Sequence, residues 1–114
     1  MAIDRRKTFT KQPRETYPID VDFSEVTPLG NDEIVSATAS AVGWPRREPN
    51  NKTDATSEVL LYTNLVVVSG ICSDVVRLQV QGGQHNYDYQ ITILVTYNNG
   101  SIIEDELYMR VREE

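Results

Sequence analysis

The chain has 114 residues and a mass of 12.9 kDa, enough for one domain and too little for a second core. Hydrophobic residues make up 39% and charged residues 25%, the balance of a globular rather than a disordered chain. No apolar run approaches the ~18 residues that a membrane helix requires, and Cys72, the single cysteine, excludes an internal disulfide and a cysteine zinc cluster. Charges near the N-terminus have no apolar segment behind them. The expectation is therefore a small soluble domain made in a reducing cytoplasm, without a secretory signal.

The net charge of −6 is unevenly placed. Residues 1–14 hold Arg5, Arg6, Lys7, Lys11 and Arg14 against Asp4 alone, so a short basic arm precedes an acidic body, residues 15–114. The arm contains Pro13, few large apolar residues and no amphipathic period, which predicts that it lacks a fold of its own. An acidic body repels phosphate, and aromatic–basic interleaving is missing, so no nucleic-acid partner is expected. The arm reads either as a solvated terminus or as a segment that docks on an acidic protein surface. Phe9, which gains nothing in solvent, supports docking, with Arg5, Arg6, Lys7, Phe9, Lys11 and Arg14 as its contact residues.

The body reads as strands. Tyr17, Ile19, Val21 and Phe23 alternate with polar residues, the period of a half-buried strand, and Pro18 places that strand at an edge or at its start. Thr27–Asp32 is a turn cluster. Glu33–Val42 is a strand with Val35, Ala37, Ala39 and Ala41 on one face. Residues 43–56 form a long irregular loop, and Trp44, Arg46 and Arg47 are its candidate partner-binding residues. Trp44 also reads as a cover for one end of the core.

Glu58–Tyr62 and Leu65–Val68 are short apolar strands, and Ser69–Asp74 turns the chain. Val76, Leu78 and Val80 line the next strand, which Gly82 and Gly83 end. Tyr89, Ile91, Ile93, Val95 and Tyr97 form one face of the strand that follows. Asn98-Asn99-Gly100 suits a type I′ hairpin turn. The last strand, Ile102–Arg112, carries Asp105 on its apolar face, which predicts a bulge or a bend near Glu104–Glu106. About seven short strands with turns between them predict an immunoglobulin-like β-sandwich, with a small barrel as the alternative.

No enzyme constellation is visible. His85, the only histidine, sits in a turn without a cysteine beside it. Asp20 and Asp22 share a solvent face but lack the spaced loop ligands of a calcium site. Phosphate-binding glycine loops are missing. No catalytic residue, cofactor or metal is expected, and the sequence reads as a scaffold whose end loops are free to bind.

Three segments resemble a known family. Phe9-Thr10-Lys11-Gln12-Pro13-Arg14-Glu15-Thr16-Tyr17-Pro18-Ile19-Asp20 resembles the opening of small tailed-bacteriophage virion proteins of the fiber-tail adaptor or head–tail kind. Gly82-Gly83-Gln84-His85-Asn86-Tyr87-Asp88-Tyr89-Gln90-Ile91-Thr92 is similar to that family's Gly-Gly-x-x-Gly-x-x-Tyr-x-Ile-Thr signature. Glu106-Leu107-Tyr108-Met109-Arg110-Val111-Arg112-Glu113 is similar to its closing strand. Asn86 stands where the family often has glycine, and Asn also visits the left-handed region.

The resemblance implies a virion structural protein without catalysis, present in several copies of a symmetric assembly. It would join tail fibers to the tail or the head–tail junction through contacts with other virion proteins, away from nucleic acid and membrane. A head-decorating or head–tail completion role is the nearest alternative. A carbohydrate-binding sandwich using Trp44, Tyr62, Tyr87 and Tyr97 is a more distant one.

Overall fold

The computed structural model describes residues 2–4, 8–23, 33–67 and 75–113. Two sheets face each other. One holds β1 (Ala2–Asp4), β3 (Tyr17–Asp22), β7 (Val75–Val80) and β6 (Val66–Val67), in the order β1-β3-β7-β6. The other holds β2 (Thr8–Lys11), β9 (Ile102–Val111), β8 (Tyr87–Tyr97), β4 (Ile34–Pro45) and β5 (Thr53–Asp54), in the order β2-β9-β8-β4-β5. One short helix, α1 (Thr56–Val59), lies on the path between β5 and β6.

Alternation builds the core. Ile19, Val21 and Phe23 of the β3 segment, with Val76, Leu78 and Val80 of β7, are fully buried. The second sheet contributes Ile91, Ile93 and Val95 of β8 and Leu107, Met109 and Val111 of β9. Each such side chain contributes about 1.5–3 kcal/mol by leaving water, so the paired sheets, rather than any single contact, hold the fold. Pro18 is tolerated in β3 because β1 pairs only with Asp20–Asp22, which leaves Pro18 on an unpaired margin.

Several expectations are corrected. The described parts of the arm are not free of the body. Thr8–Lys11 pairs in parallel with Tyr108–Val111, and Ala2–Asp4 pairs in parallel with Asp20–Asp22. Phe9 packs on the core of its own chain. Lys11 is 1% exposed, and its ammonium donates to the carbonyl oxygens of Gln12 (2.7 Å), Pro13 (3.4 Å) and Gly82 (2.5 Å). Desolvation holds the Lys11 pKa below its ordinary value, with Glu15 opposing the shift. Lys11 is thus an internal tie, buried within its own chain.

In β4 the register shifts between Ile34 and Ser36, so Ile34 turns inward and Val35 stands outward at 59% exposure. The strand also runs on to Pro45, which shortens the loop expected over residues 43–56. Glu58–Tyr62 is not a strand. Asp54 Oδ1 accepts from the Thr56 N–H (3.3 Å) and hydroxyl (2.8 Å), which favours a helical turn there. The Thr56 hydroxyl oxygen in turn accepts from the Ala41 N–H (3.0 Å), covering part of the β4 edge.

The Asn98–Gly100 hairpin is not type I′. Only Gly100 has positive φ (+90°), and the Gly100 N–H donates to Tyr97 O (3.0 Å), the pattern of a type I turn closed by a glycine bulge. No bulge interrupts β9. Its pairing with β8 is continuous from Ile102 to Val111, so Asp105 points inward at 2% exposure, and its carboxylate accepts from the Glu106 N–H (2.9 Å). The expected turns over Thr27–Asp32 and Ser69–Asp74, with Cys72, lie outside the described residues, as do Arg5, Arg6 and Lys7.

Two truncations separate the tie from the terminal charges. Removing residues 1–14 deletes β2 and the Lys11 tie and is expected to destabilise the fold strongly. Lys11→Met, which leaves the carbonyl cluster unsatisfied, is expected to cost about 1–3 kcal/mol in chemical denaturation. Removing only residues 1–7 should cost much less than removing residues 1–14 in the same assay.

Candidate functional site

The loops at one end of the sandwich form the most developed surface concavity among the described residues. It is an open groove of about 700 Å³ lined by Pro45, Arg46, Arg47, Glu48, His85, Asn86 and Tyr87. Two turns make it, the β4–β5 turn and the corner between β7 and β8. Gly82 (φ +52°), Gly83 (φ +94°) and Asn86 (φ +65°) bend that corner through left-handed conformations. A Cβ on Gly83 would stand 2.7 Å from Val111 Cγ2, so backbone approach as well as φ requires glycine there.

Hydrogen bonds fix the corner. The Gln84 N–H donates to the Tyr89 hydroxyl oxygen (2.8 Å), and that hydroxyl donates to Glu58 Oε1 (2.9 Å). This is a variant of the tyrosine corner of immunoglobulin-type sandwiches, with the hydroxyl here accepting from the backbone. Gly43 makes room for the ring, since a Cβ there would meet Tyr89 Cε1 at 2.5 Å. Burial, together with Glu58, raises the Tyr89 pKa well above its ordinary value, although the Gln84 bond opposes this.

The two turns are joined directly. The Arg46 N–H donates to Asn86 O, and the Asn86 N–H donates to Val111 O (2.8 and 2.9 Å). The Glu113 N–H donates to His85 Nδ1 (2.8 Å). Arg112 donates to Tyr87 O (3.1 Å) and pairs with Asp88 (2.8 Å) at the same end.

The predicted contact residues separate under this geometry. Arg46 and Arg47 are exposed on the groove, and neither has an ion pair among the described residues. Trp44 is half-buried and lines a different, smaller depression of about 260 Å³ with Thr8, Asp88, Tyr108, Met109 and Arg110. Lys52 Nζ sits 5.1 Å from the Trp44 ring centroid. Arg14 is exposed in the turn after β2, apart from both surfaces.

The aromatics suggested for sugar stacking do not form one platform. Tyr97 is 1% exposed, Tyr87 stacks near Tyr89 with ring centroids 6.1 Å apart, and exposed Tyr62 lines another concavity. Sequence reasoning missed Tyr89 and Glu58 as the corner's support, because their partnership spans 31 residues. The Gly82-Gly83 pair marked the bend without naming its partners.

Chemically, the groove offers two guanidinium groups and an imidazole beside one carboxylate, Glu48. That set suits carboxylate or other anionic groups. Among the described residues no three His, Cys, Asp or Glu side chains are grouped to hold a metal ion.

No family model matches the chain, and no curated protein matches it. Among solved structures, that of murine CRIg is similar over 96% of this chain and 95% of that chain, with 15% sequence identity and a TM-score of 0.50. At that identity the likeness bears on fold alone. Together with the strand orders above, it places this chain among immunoglobulin-like β-sandwiches.

Tyr89→Phe tests the corner. It strands the Gln84 N–H and is expected to cost about 1–2 kcal/mol in thermal or denaturant unfolding. The raised Tyr89 pKa also has a sign. The unfolded chain loses the phenolic proton near pH 10 while the folded chain keeps it, so this contribution falls as pH rises above about 10. The variant should show a smaller loss of stability between pH 9 and 11 than the parent, read from denaturation midpoints.

Proposed function

We propose that this chain is a non-enzymatic structural subunit of a tailed-bacteriophage virion, an adaptor between tail fibers and the tail or head–tail junction. Its sequence resemblance to such proteins supports this, and one of the resembling segments, Gly82–Thr92, begins at the corner that frames the end groove. The observation that carries the reading is the exposed pair Arg46 and Arg47, held on a rigid open end of the sandwich rather than in an enclosed cavity. An open site with exposed cationic groups fits a protein surface better than a small molecule, which is ordinarily engulfed. The sandwich holds the loops in place, and the groove meets carboxylates of another virion protein.

Locating the chain in purified particles tests the proposal. Labelled copies are expected at the tail or the head–tail joint, and R46E/R47E is expected to lower their incorporation at least tenfold, as steering charges at an interface would. Copies spread over the capsid shell would favour a head-decorating role. Recovery of the chain from cells but never from particles would overturn the virion reading.

A further inference from the structure

The two ends of the sandwich differ in charge and apolarity. Strands of ten to twelve residues run along a body of 43 × 25 × 21 Å. At the groove end, Arg46 and Arg47 stand without ion-pair partners among the described residues, beside Pro45 and half-buried Tyr87. The opposite end is the β8–β9 hairpin and the start of β4. Segments 33–43 and 94–109, which run from that end along the sheet, contain no Lys or Arg.

That opposite end is both acidic and apolar. The Glu33 carbonyl accepts from the Asn98 N–H (2.9 Å), which sets Glu33 against the hairpin turn, and its side chain is exposed. Glu104 is exposed two residues beyond Ile102 on the same face of β9. Ile102 (62% exposed) pairs with Thr96, which pairs with Ser36, the neighbour of Val35 (59% exposed). Leu94, 40% exposed, lies on the same face opposite Glu104.

We infer that the groove of one copy receives the hairpin end of a second copy of this chain. Glu33 and Glu104 meet Arg46 and Arg47, while Ile102 and Val35 cover Pro45 and Tyr87. The occupant follows from charge complementarity. The other end of the same molecule offers carboxylates, Glu33 and Glu104, beside exposed aliphatic side chains, Ile102 and Val35. Exposed ion pairs add little individually, so the charges set orientation while the apolar contact supplies affinity. Such a contact joins unlike surfaces, and it closes into a ring or continues as a filament according to the rotation between copies. It concerns the purified chain alone, so it stands or falls independently of the virion reading.

A charge-swap experiment tests it by sedimentation velocity of the full chain at concentrations up to about 1 mM, the range of weak association. The parent is expected to self-associate at low salt and to dissociate as salt rises. R46E/R47E makes both ends acidic, and E33K/E104K makes both ends basic, so each alone should associate at least tenfold more weakly. An equimolar mixture of the two should associate again, because every acidic end then finds a basic one. Circular dichroism confirms that each variant is folded, and R46Q/R47Q provides a milder substitution with the same expected direction. A parent that stays monomeric, variants that associate as the parent does, or a folded mixture that stays monomeric would each overturn the inference.

Discussion

Removing an ammonium group from water costs several kcal/mol unless the protein replaces its hydration. Lys11 lies buried at the end of β2, and the carbonyl oxygens of Gln12, Pro13 and Gly82 make that replacement. Hydrogen bonds from a charged donor contribute about 1.5–3 kcal/mol each, so the cluster offsets the burial only while its acceptors stay in place. The Gly82 carbonyl is one of them, and Gly82 begins the corner between β7 and β8. One cation therefore ties the N-terminal strand to the loop that frames the groove.

The corner depends on that tie and on Tyr89. A left-handed bend through Gly82, Gly83 and Asn86 brings the backbone close to Val111 and presents the Gln84 N–H to the Tyr89 hydroxyl. Glu58 Oε1 accepts a hydrogen bond from that hydroxyl, linking the helical turn after β5 to the same side chain. The Arg46 N–H and the Glu113 N–H then attach the β4–β5 turn and the C-terminal segment to the corner. Four segments far apart in the chain converge on one rigid end, and that rigidity is what a binding surface built from short loops requires.

The proposed function and the proposed self-contact use this end in one physical way. Exposed guanidinium groups on an open surface select carboxylates, and a stiff scaffold limits the entropy lost on ordering the contact. The rest of the sandwich contributes a core of interlocked Val, Ile, Leu and aromatic side chains that sets the distance between the two ends.

Most strands were legible because burial on one face imposes a period of two, and β3, β7, β8 and β9 carry it plainly. The glycine bend at residues 82–83 was legible for a similar local reason, since few residues other than glycine take positive φ readily. The pattern misled where one residue changes the phase. The register shift after Ile34 exchanged Val35 for Ile34, and an uninterrupted β9 carried Asp105 inward where a bulge was expected. The fate of the basic N-terminal segment was not legible at all, because Lys11 and Phe9 look alike on a free arm and on a sheet margin. Alternation along the chain is a local property and the sequence determines it alone. Which carbonyls surround Lys11, and which loops share Tyr89, depends on residues up to 71 positions apart, and only closure of the two sheets brings them within hydrogen-bonding reach.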